Sequence, residues 1–419
     1  MIFRKLKAGA LQFTTFIVVV IALLLTAFII LINTHNLFKL QTNFLLETIE
    51  NSNQGINYVL NNNIKLNDSI LIHLQSEDYK TLQVHRDFWG VFEKVTSVSK
   101  IKNKTFKKVA LVGATQPELD RTALYVEDNN RPLVVVGNTK IEGVTYLPKQ
   151  GVRTGNISGH SYYGNQLIYG KEKVSGKLPT LDVIKQIEAI TELYKRLDSN
   201  QFLELELNKT YQNSFYSPLQ VLFSPNAIHL TEVSITGHII VQSKTKIIVD
   251  ASSNLKDIIL IAPKIEFRNS VKGTFQAFAS QEIIVGTNCK FNYPSALVLK
   301  EKEQFLSTTT NKQPPSILVN KQSTIKGVLI YLGDSVSYKA QVIIVDNTTI
   351  TGEVYCNKNL ELLGRIHGSV YTSGFVANQS GSVYQNHIYN GTITVHSLPY
   401  EYMGLTFKNS KKGVAKWLY

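Results

Sequence analysis

Side chains able to do acid, base or metal chemistry are scattered along this chain. Asp250, Asp257, Glu266, Asp334, Asp346, Glu353 and Glu361 stand singly, mostly where turns are expected. Cleaving a polysaccharide would need two carboxylates on one face, or an acidic cluster holding calcium beside a basic residue. Neither pattern occurs. His238, His367 and His387 lie near strand-like segments, but no zinc-type histidine pair, phosphate-binding glycine loop or nucleophile elbow is present. Cys289 and Cys356 lack nearby His or Cys ligands, and their strand-like surroundings suit buried free thiols, with a single disulfide as the alternative. The sequence therefore nominates no catalytic, cofactor-binding or metal-binding residue and implies no cofactor, so the chain reads as a non-enzyme.

Recognition residues are easier to nominate. Of twenty tyrosines, Tyr355, Tyr371 and Tyr384 follow glycine-containing repeats, and Trp417 and Tyr419 close the chain. These five are the candidates for surface recognition, with sugar rings as the natural partner of aromatic rungs. A formal net charge of +13 favours an acidic partner such as nucleic acid, anionic polysaccharide or lipid headgroups. Only Lys104/Lys107/Lys108 and Lys408/Lys411/Lys412 cluster, however, which reads as solvated surface and disfavours nucleic acid.

The elements that would carry these residues begin with a membrane helix. No residue between Ala8 and Phe38 is formally charged, and residues 13–32 are apolar except for Thr14, Thr15 and Thr26. Twenty residues at ~1.5 Å each cross ~30 Å of hydrocarbon. Arg4, Lys5 and Lys7 precede the span and only Lys39 follows closely, which places the N-terminus in the cytoplasm. Thr34-His35-Asn36 offers no small-residue cleavage site for a secretory signal. Beyond the span, Phe38, Leu45, Ile49, Ile56 and Leu60 form one apolar stripe, so the helix is expected to continue as a stalk and to stop at Asn61-Asn62-Asn63.

The basic leader ending in Lys7-Ala8-Gly9, the apolar helix that starts at once and the amphipathic continuation over 44–60 resemble the N-terminal region of type IV pilins and pseudopilins, chiefly the minor, tip-type subunits. The resemblance implies processing after Gly9, leaving Ala10 as the new N-terminus, and packing of the helix into a filament. Major pilins carry glutamate at the fifth mature position, where this chain has Thr14. A plain signal anchor accounts for the same residues.

After the stalk, a β-branched residue, any residue and then glycine recur: Ile141-Glu142-Gly143, Ile157-Ser158-Gly159, Val174-Ser175-Gly176, Ile235-Thr236-Gly237, Val271-Lys272-Gly273, Ile325-Lys326-Gly327, Ile350-Thr351-Gly352 and Ile366-His367-Gly368. Most of the glycine separations are multiples of about seventeen or eighteen, the period of one coil of a parallel β-helix. The interval from Gly327 to Gly352 needs an extra loop. A β-sandwich also has short strands, but no reason to repeat one corner. The repeats over 316–397 resemble the polymer-forming β-helix of bactofilin-like proteins, and 234–299 do so more loosely.

The chain is thus expected to be mainly β, a parallel β-helix on a single N-terminal transmembrane α-helix with an amphipathic stalk. The divisions are a cytoplasmic leader (1–9), the transmembrane helix (10–33), the stalk (34–65) and a transition region (66–130) that forms either a small pilin-like sheet or the first coils. The β-helix follows (131–397), with a helical insertion near 180–198 capped by Thr180, and then a C-terminal cap or docking tail (398–419). Within the transition, 108–112, 123–126 and 133–136 read as strands, and Phe88-Trp89 as a packing pair. The implied role is an anchored scaffold of the bacterial inner membrane with its ectodomain outside the cytoplasm. Its partners are membrane lipid and other envelope or pilus-like subunits. A carbohydrate-binding or carbohydrate-cleaving ectodomain is the alternative, with a glycan as partner, and capture of DNA or another anionic polymer is a third reading.

Overall fold

The computed structural model describes residues 8–62, 64–74, 79–117, 119–190, 202–206, 208–302, 315–334 and 337–419. Leader residues Arg4, Lys5 and Lys7, along with Asn63, Leu193 and Leu197, lie outside them. The protein is mainly β, with one long apolar N-terminal helix. Two units are distinguished: Met1–Tyr58, Ser69–Val84 and Ser97–Lys108 form the first, and Val59–Asp68, His85–Thr96 and Val109–Tyr419 form the second.

Helix α1 (Ala8–Asn61) runs 54 residues without a break and ends within the asparagine run. Strands β1 (Asp68–Ile72), β2 (Lys80–Trp89), β3 (Phe92–Ile101) and β4 (Lys104–Thr115) follow as a meander. The chain's end completes this sheet, because Met403–Gly404 and Lys412–Leu418 both pair antiparallel with β4. Within the stretch expected to be a C-terminal cap or docking tail, Met403–Gly404 and Lys412–Leu418 are thus sheet strands.

Between β4 and those closing strands, most strands join in parallel ladders. Lys246 lies beside Lys264 and Lys264 beside Glu282, so 18 residues separate successive rungs there. Elsewhere Glu282 pairs with Ser316 and Ile317 with Val342, the longer intervals being taken up by insertions. Three ladders are distinguishable by what precedes each strand. Ladder A holds Thr210–Asn213, Ser234–Gly237, the first residues of the strands starting at Asn254, Lys272, Lys290, Thr324, Thr349 and Arg365, then Thr392–Thr394 and Lys140–Glu142. Ladder B follows at the next corner and holds Gln220–Ser224, Ile239–Ser243, the later residues of the strands that start at Asn254, Lys272, Lys290, Thr324, Thr349 and Arg365, then Thr122–Val126 and Val144–Leu147. Ladder C comes at the corner after that and holds Ile228–Leu230, Lys246–Val249, Lys264–Phe267, Glu282–Val285, Ser316–Val319, Val342–Ile344 and residues 360–362.

Glycine is required at the A-to-B corner. Gly327, Gly352 and Gly368 stack in register with φ of 145°, 143° and 149°. A Cβ on Gly352 would overlap the Gly327 carbonyl, and one on Gly368 the Gly352 carbonyl, so only glycine fits. Gly327 and Gly352 pair directly despite their longer separation, the extra residues lying between Leu332 and Val342. Three of the predicted corners differ: Gly159 belongs to a hairpin turn, Gly176 has no positive φ, and Gly273 pairs with Leu255 inside a strand.

Inward residues of all three ladders share one core. Ile247, Ile265, Ile283, Ile317, Val342 and Leu360 line up along ladder C, while Phe267, Phe275 and Phe291 meet with ring centroids 4.7 to 5.0 Å apart. Each such side chain contributes ~1.5–3 kcal/mol on burial, and in-register stacking repeats that gain at every rung.

Stacking order is not chain order. Thr392–Thr394 lies between the Arg365 rung and Lys140–Glu142, and Thr122–Val126 lies between residues 370–372 and Val144–Leu147. One level is thus assembled from both ends of the stretch expected to wind sequentially. Having built the last rungs, the chain recrosses the outside of ladder B. Tyr125 Oη donates to Lys177 O and Tyr355 Oη to Pro179 O, both at 3.0 Å. Helix α2 (Ile184–Ile190) follows and buries Ile187 and Ile190 on the outer face of ladder B. Thr180 is not its cap: Leu181 first bridges to Phe407 in extended form, and the helix starts later.

Candidate functional site

The feature most in need of a functional explanation is α1. By length and composition it is long enough and, in its most apolar stretch, apolar enough to cross a membrane, and that stretch is wholly exposed. Its threonines do not break that character, because each hydroxyl donates to a carbonyl one turn back: Thr15 to Leu11 at 3.0 Å, Thr26 to Ala22 at 2.8 Å and Thr34 to Ile30 at 2.6 Å. No hydroxyl there needs water. Gly9 and Ala10 are exposed in the first turn, and nothing lies near Gly9.

Lower down, α1 packs within the first unit through small residues. Thr48, Ser52 and Gly55 are buried at helical spacing, joined by Asn51 and Ile56. A Cβ on Gly55 would overlap Ser97 Oγ and come within 2.9 Å of Val84 Cγ1 and 3.1 Å of Leu82 Cδ1. The helix thus meets the meander at backbone-to-side-chain distance. Lys80 pairs with Glu47, Lys108 donates to Asn53 Oδ1, and Lys102 lies over the rings of Phe44 and Tyr79. The expected apolar stripe is only partly used: Ile56 is buried, but Phe38 is 71% and Leu45 43% exposed. Small residues can approach a sheet more closely than leucine. The 48-52-55 spacing was the available signal, and hydrophobicity alone passes over it.

No protein-family description matches the chain, and no curated protein does at a significant level. Among solved structures, the competence-associated pilin ComZ from Thermus thermophilus is similar at a TM-score of 0.20 and 10% identity, over 89% of this chain and 97% of that one. A superposition that weak carries no inference, so the helix and its packing must stand on their own chemistry.

The aromatic candidates separate. Tyr355, Tyr371, Tyr125 and Tyr146 occupy successive rungs of ladder B, with Tyr125 and Tyr146 stacked at 5.1 Å. Tyr355 is only 4% and Tyr371 9% exposed, covered by Phe407 at 6.5 and 4.8 Å. They are not surface rungs for sugar. Their place in the fold is to floor the returning chain, a role invisible without the stacking order. Tyr384 stands apart on the hairpin strand Ser382–Gln385, half-buried against His387. Trp417 sits half-buried in the antiparallel sheet opposite Ala110, and Tyr419 is exposed.

Among the described residues no group of three or more His, Cys, Asp or Glu could hold a metal ion. Cys289 and Cys356 are buried and free. The most unusual titratable group is Glu353, fully enclosed where ladder B meets the C-terminal segment. Its carboxylate accepts the Leu405 N–H and the Gln116 side-chain amide, and burial pushes its pKa up to about 7 against those two bonds. Tyr293 Oη donates to Met403 O at 2.9 Å and Tyr402 Oη to Gly327 O at 3.2 Å, so 402–405 is clamped from several rungs.

Proposed function

We propose that the chain is a membrane-anchored assembly protein of the bacterial envelope, a minor pilin-like subunit whose parallel ladders wind as a β-solenoid carried on the helix. The observation that supports it is the exposed apolar surface of α1. From Leu11 to Leu46 the helix presents Phe16, Leu23, Phe28, Leu31, Phe38 and Leu46 with no protein covering them, far beyond the few hundred Å² a soluble monomer tolerates. At ~1.5 Å per residue the helix is ~80 Å long, more than twice the hydrocarbon thickness. Bilayer covers one part; the stretch around Leu37–Leu46 calls for another apolar partner, as helices packed in an assembly would supply.

Processing at Gly9 is the sharp version of this reading. N-terminal sequencing of protein purified from membranes is expected to begin at Ala10, and Gly9→Val is expected to retain Met1. An unaltered N-terminus in the native protein defeats the pilin-like version while leaving plain anchoring intact. Extraction by alkaline carbonate would defeat anchoring as well.

A further inference from the structure

The register of ladder A brings together basic residues that the sequence keeps far apart. In this ladder the middle residue of a strand points into the core, as Ile235, Leu255, Ile325, Ile350, Ile366, Ile393 and Ile141 do, with Gly273 taking that position in the Lys272 strand, and the two neighbours of the middle residue face outward. The outward positions form two columns. One carries Lys272, Lys290, Arg365 and Lys140, with Ser234, Asn254, Thr324, Thr349 and Thr392 between them. The other carries Lys256 and Lys326 among Thr236, Thr274, Thr351, His367 and Thr394, and ends at Glu142.

Six cations therefore share one flat face with a single carboxylate. Glu142 is occupied by Lys140 at 2.9 Å, and Lys256, Lys272, Lys290, Lys326 and Arg365 are exposed and in no salt bridge among the described residues. Lys272 even lies directly beside Lys290 in the register, an arrangement that costs stability. The other outer faces are not like this. Ladder B is covered by apolar side chains, and ladder C neutralises its lysines across rungs through Lys246–Glu266 and Lys264–Glu282.

We propose that the outer face of ladder A binds a linear anionic polysaccharide, a polyuronate by chemical class. The eight strands from the Asn254 rung to Lys140–Glu142, at ~4.8 Å apart, give a cationic track of about 35 Å. Between the cations run threonine, serine and asparagine side chains, which offer hydrogen-bond donors and acceptors at rung spacing to a polymer rich in hydroxyls. The one tyrosine at its end, Tyr169, lies under Lys140 at 5.4 Å. The outward positions from Asn254 to Thr394 carry no Phe, Tyr or Trp on which a run of unpaired bases would stack, and no helix or ribbon stands out from them to enter a DNA groove. Those features favour a polysaccharide over nucleic acid. The inference is independent of whether α1 joins a filament.

The test uses the full chain in detergent micelles, with polygalacturonate, neutral dextran and duplex DNA as probes. Lys272→Glu/Lys290→Glu/Lys326→Glu is compared with Lys408→Glu/Lys411→Glu/Lys339→Glu, which changes net charge equally at exposed positions off the face. Polygalacturonate is expected to bind and to weaken as salt rises. Its affinity should fall roughly tenfold or more in the first variant and change little in the second. No binding of polygalacturonate, equal losses in the two variants, salt-independent retention that dextran reproduces, or tighter binding of duplex DNA would each overturn the proposal.

Discussion

Glu353→Gln should stabilise the protein at pH 8 and leave it nearly unchanged at pH 4.5. The wild-type carboxyl sits where burial raises its pKa to about 7 from the ordinary 4.5, and its partners are a backbone N–H and an amide, not a cation. A carboxyl with a raised pKa binds its proton more tightly in the folded state than in the unfolded one. Folded protein is then favoured at low pH, and stability is lost as pH rises from about 4.5 to about 7. At ~1.4 kcal/mol per pH unit the loss amounts to roughly 3 kcal/mol above pH 7. Glutamine retains an acceptor for Leu405 N–H, and the Gln116 amide can turn over to accept from the new NH₂. Urea unfolding of both proteins in the same detergent, at intervals from pH 4.5 to 8, isolates the effect as a difference between two curves. The reasoning fails if that difference is flat across the window, or if the variant is the less stable protein at pH 8.

Gly55→Val should loosen α1 from the meander by about 1–3 kcal/mol, since the added atoms overlap Ser97 and Val84. Faster hydrogen exchange over residues 80–84 and 97–108, with 220–300 unaffected, would report it. Gly352→Ala combines a φ of 143° with overlap of the Gly327 carbonyl; a substantial loss of thermal stability is expected, read by circular dichroism. Burial pushes the Cys356 thiol up to about 12 and raises that of Cys289. Both should therefore resist a disulfide reagent at pH 8 until the protein is unfolded, and rapid labelling of native protein would contradict their enclosure. Tyr355→Phe removes a hydrogen bond to Pro179 O while keeping the ring, and should cost about 1 kcal/mol in chemical denaturation.

Much of this architecture is legible in the sequence because the governing signals are local. An uncharged run of apolar residues yields a helix whatever surrounds it, and alternating Ile-x-Ile or Val-x-Val yields short strands. Gly327, Gly352 and Gly368 can be marked as corners because only glycine tolerates their backbone. The side of α1 that meets protein was less legible. Phe38 and Leu45 are the more hydrophobic, but Thr48, Ser52 and Gly55 are the ones that fit, because close approach is a steric demand. The basic face was illegible for another reason. Its lysines are separated by rungs of unequal length, from 16 residues between Thr349 and Arg365 to 34 between Lys290 and Thr324, so no fixed period brings them into line. A reading of clusters found only neighbours in sequence, such as Lys408 and Lys411.

The stacking order has a further consequence for how the two ends of the chain depend on each other. The level that contains Thr392–Thr394 also contains Thr122–Val126 and Leu133–Val136, and the C-terminal strand beyond it closes the sheet begun by β2–β4. Rungs 140–174 therefore rest on residues that emerge more than two hundred positions later during synthesis, and they cannot bury Ile141 or Leu124 until Ile366, Val370 and Ile393 are in place. Contacts of that sequence separation are entropically expensive to form and slow to nucleate. The middle rungs, 234–300, need only their neighbours and can form first. The clamp of 402–405 draws on Tyr293, Gly327 and Glu353, which lie on three different rungs, and so is complete only when those rungs are in place.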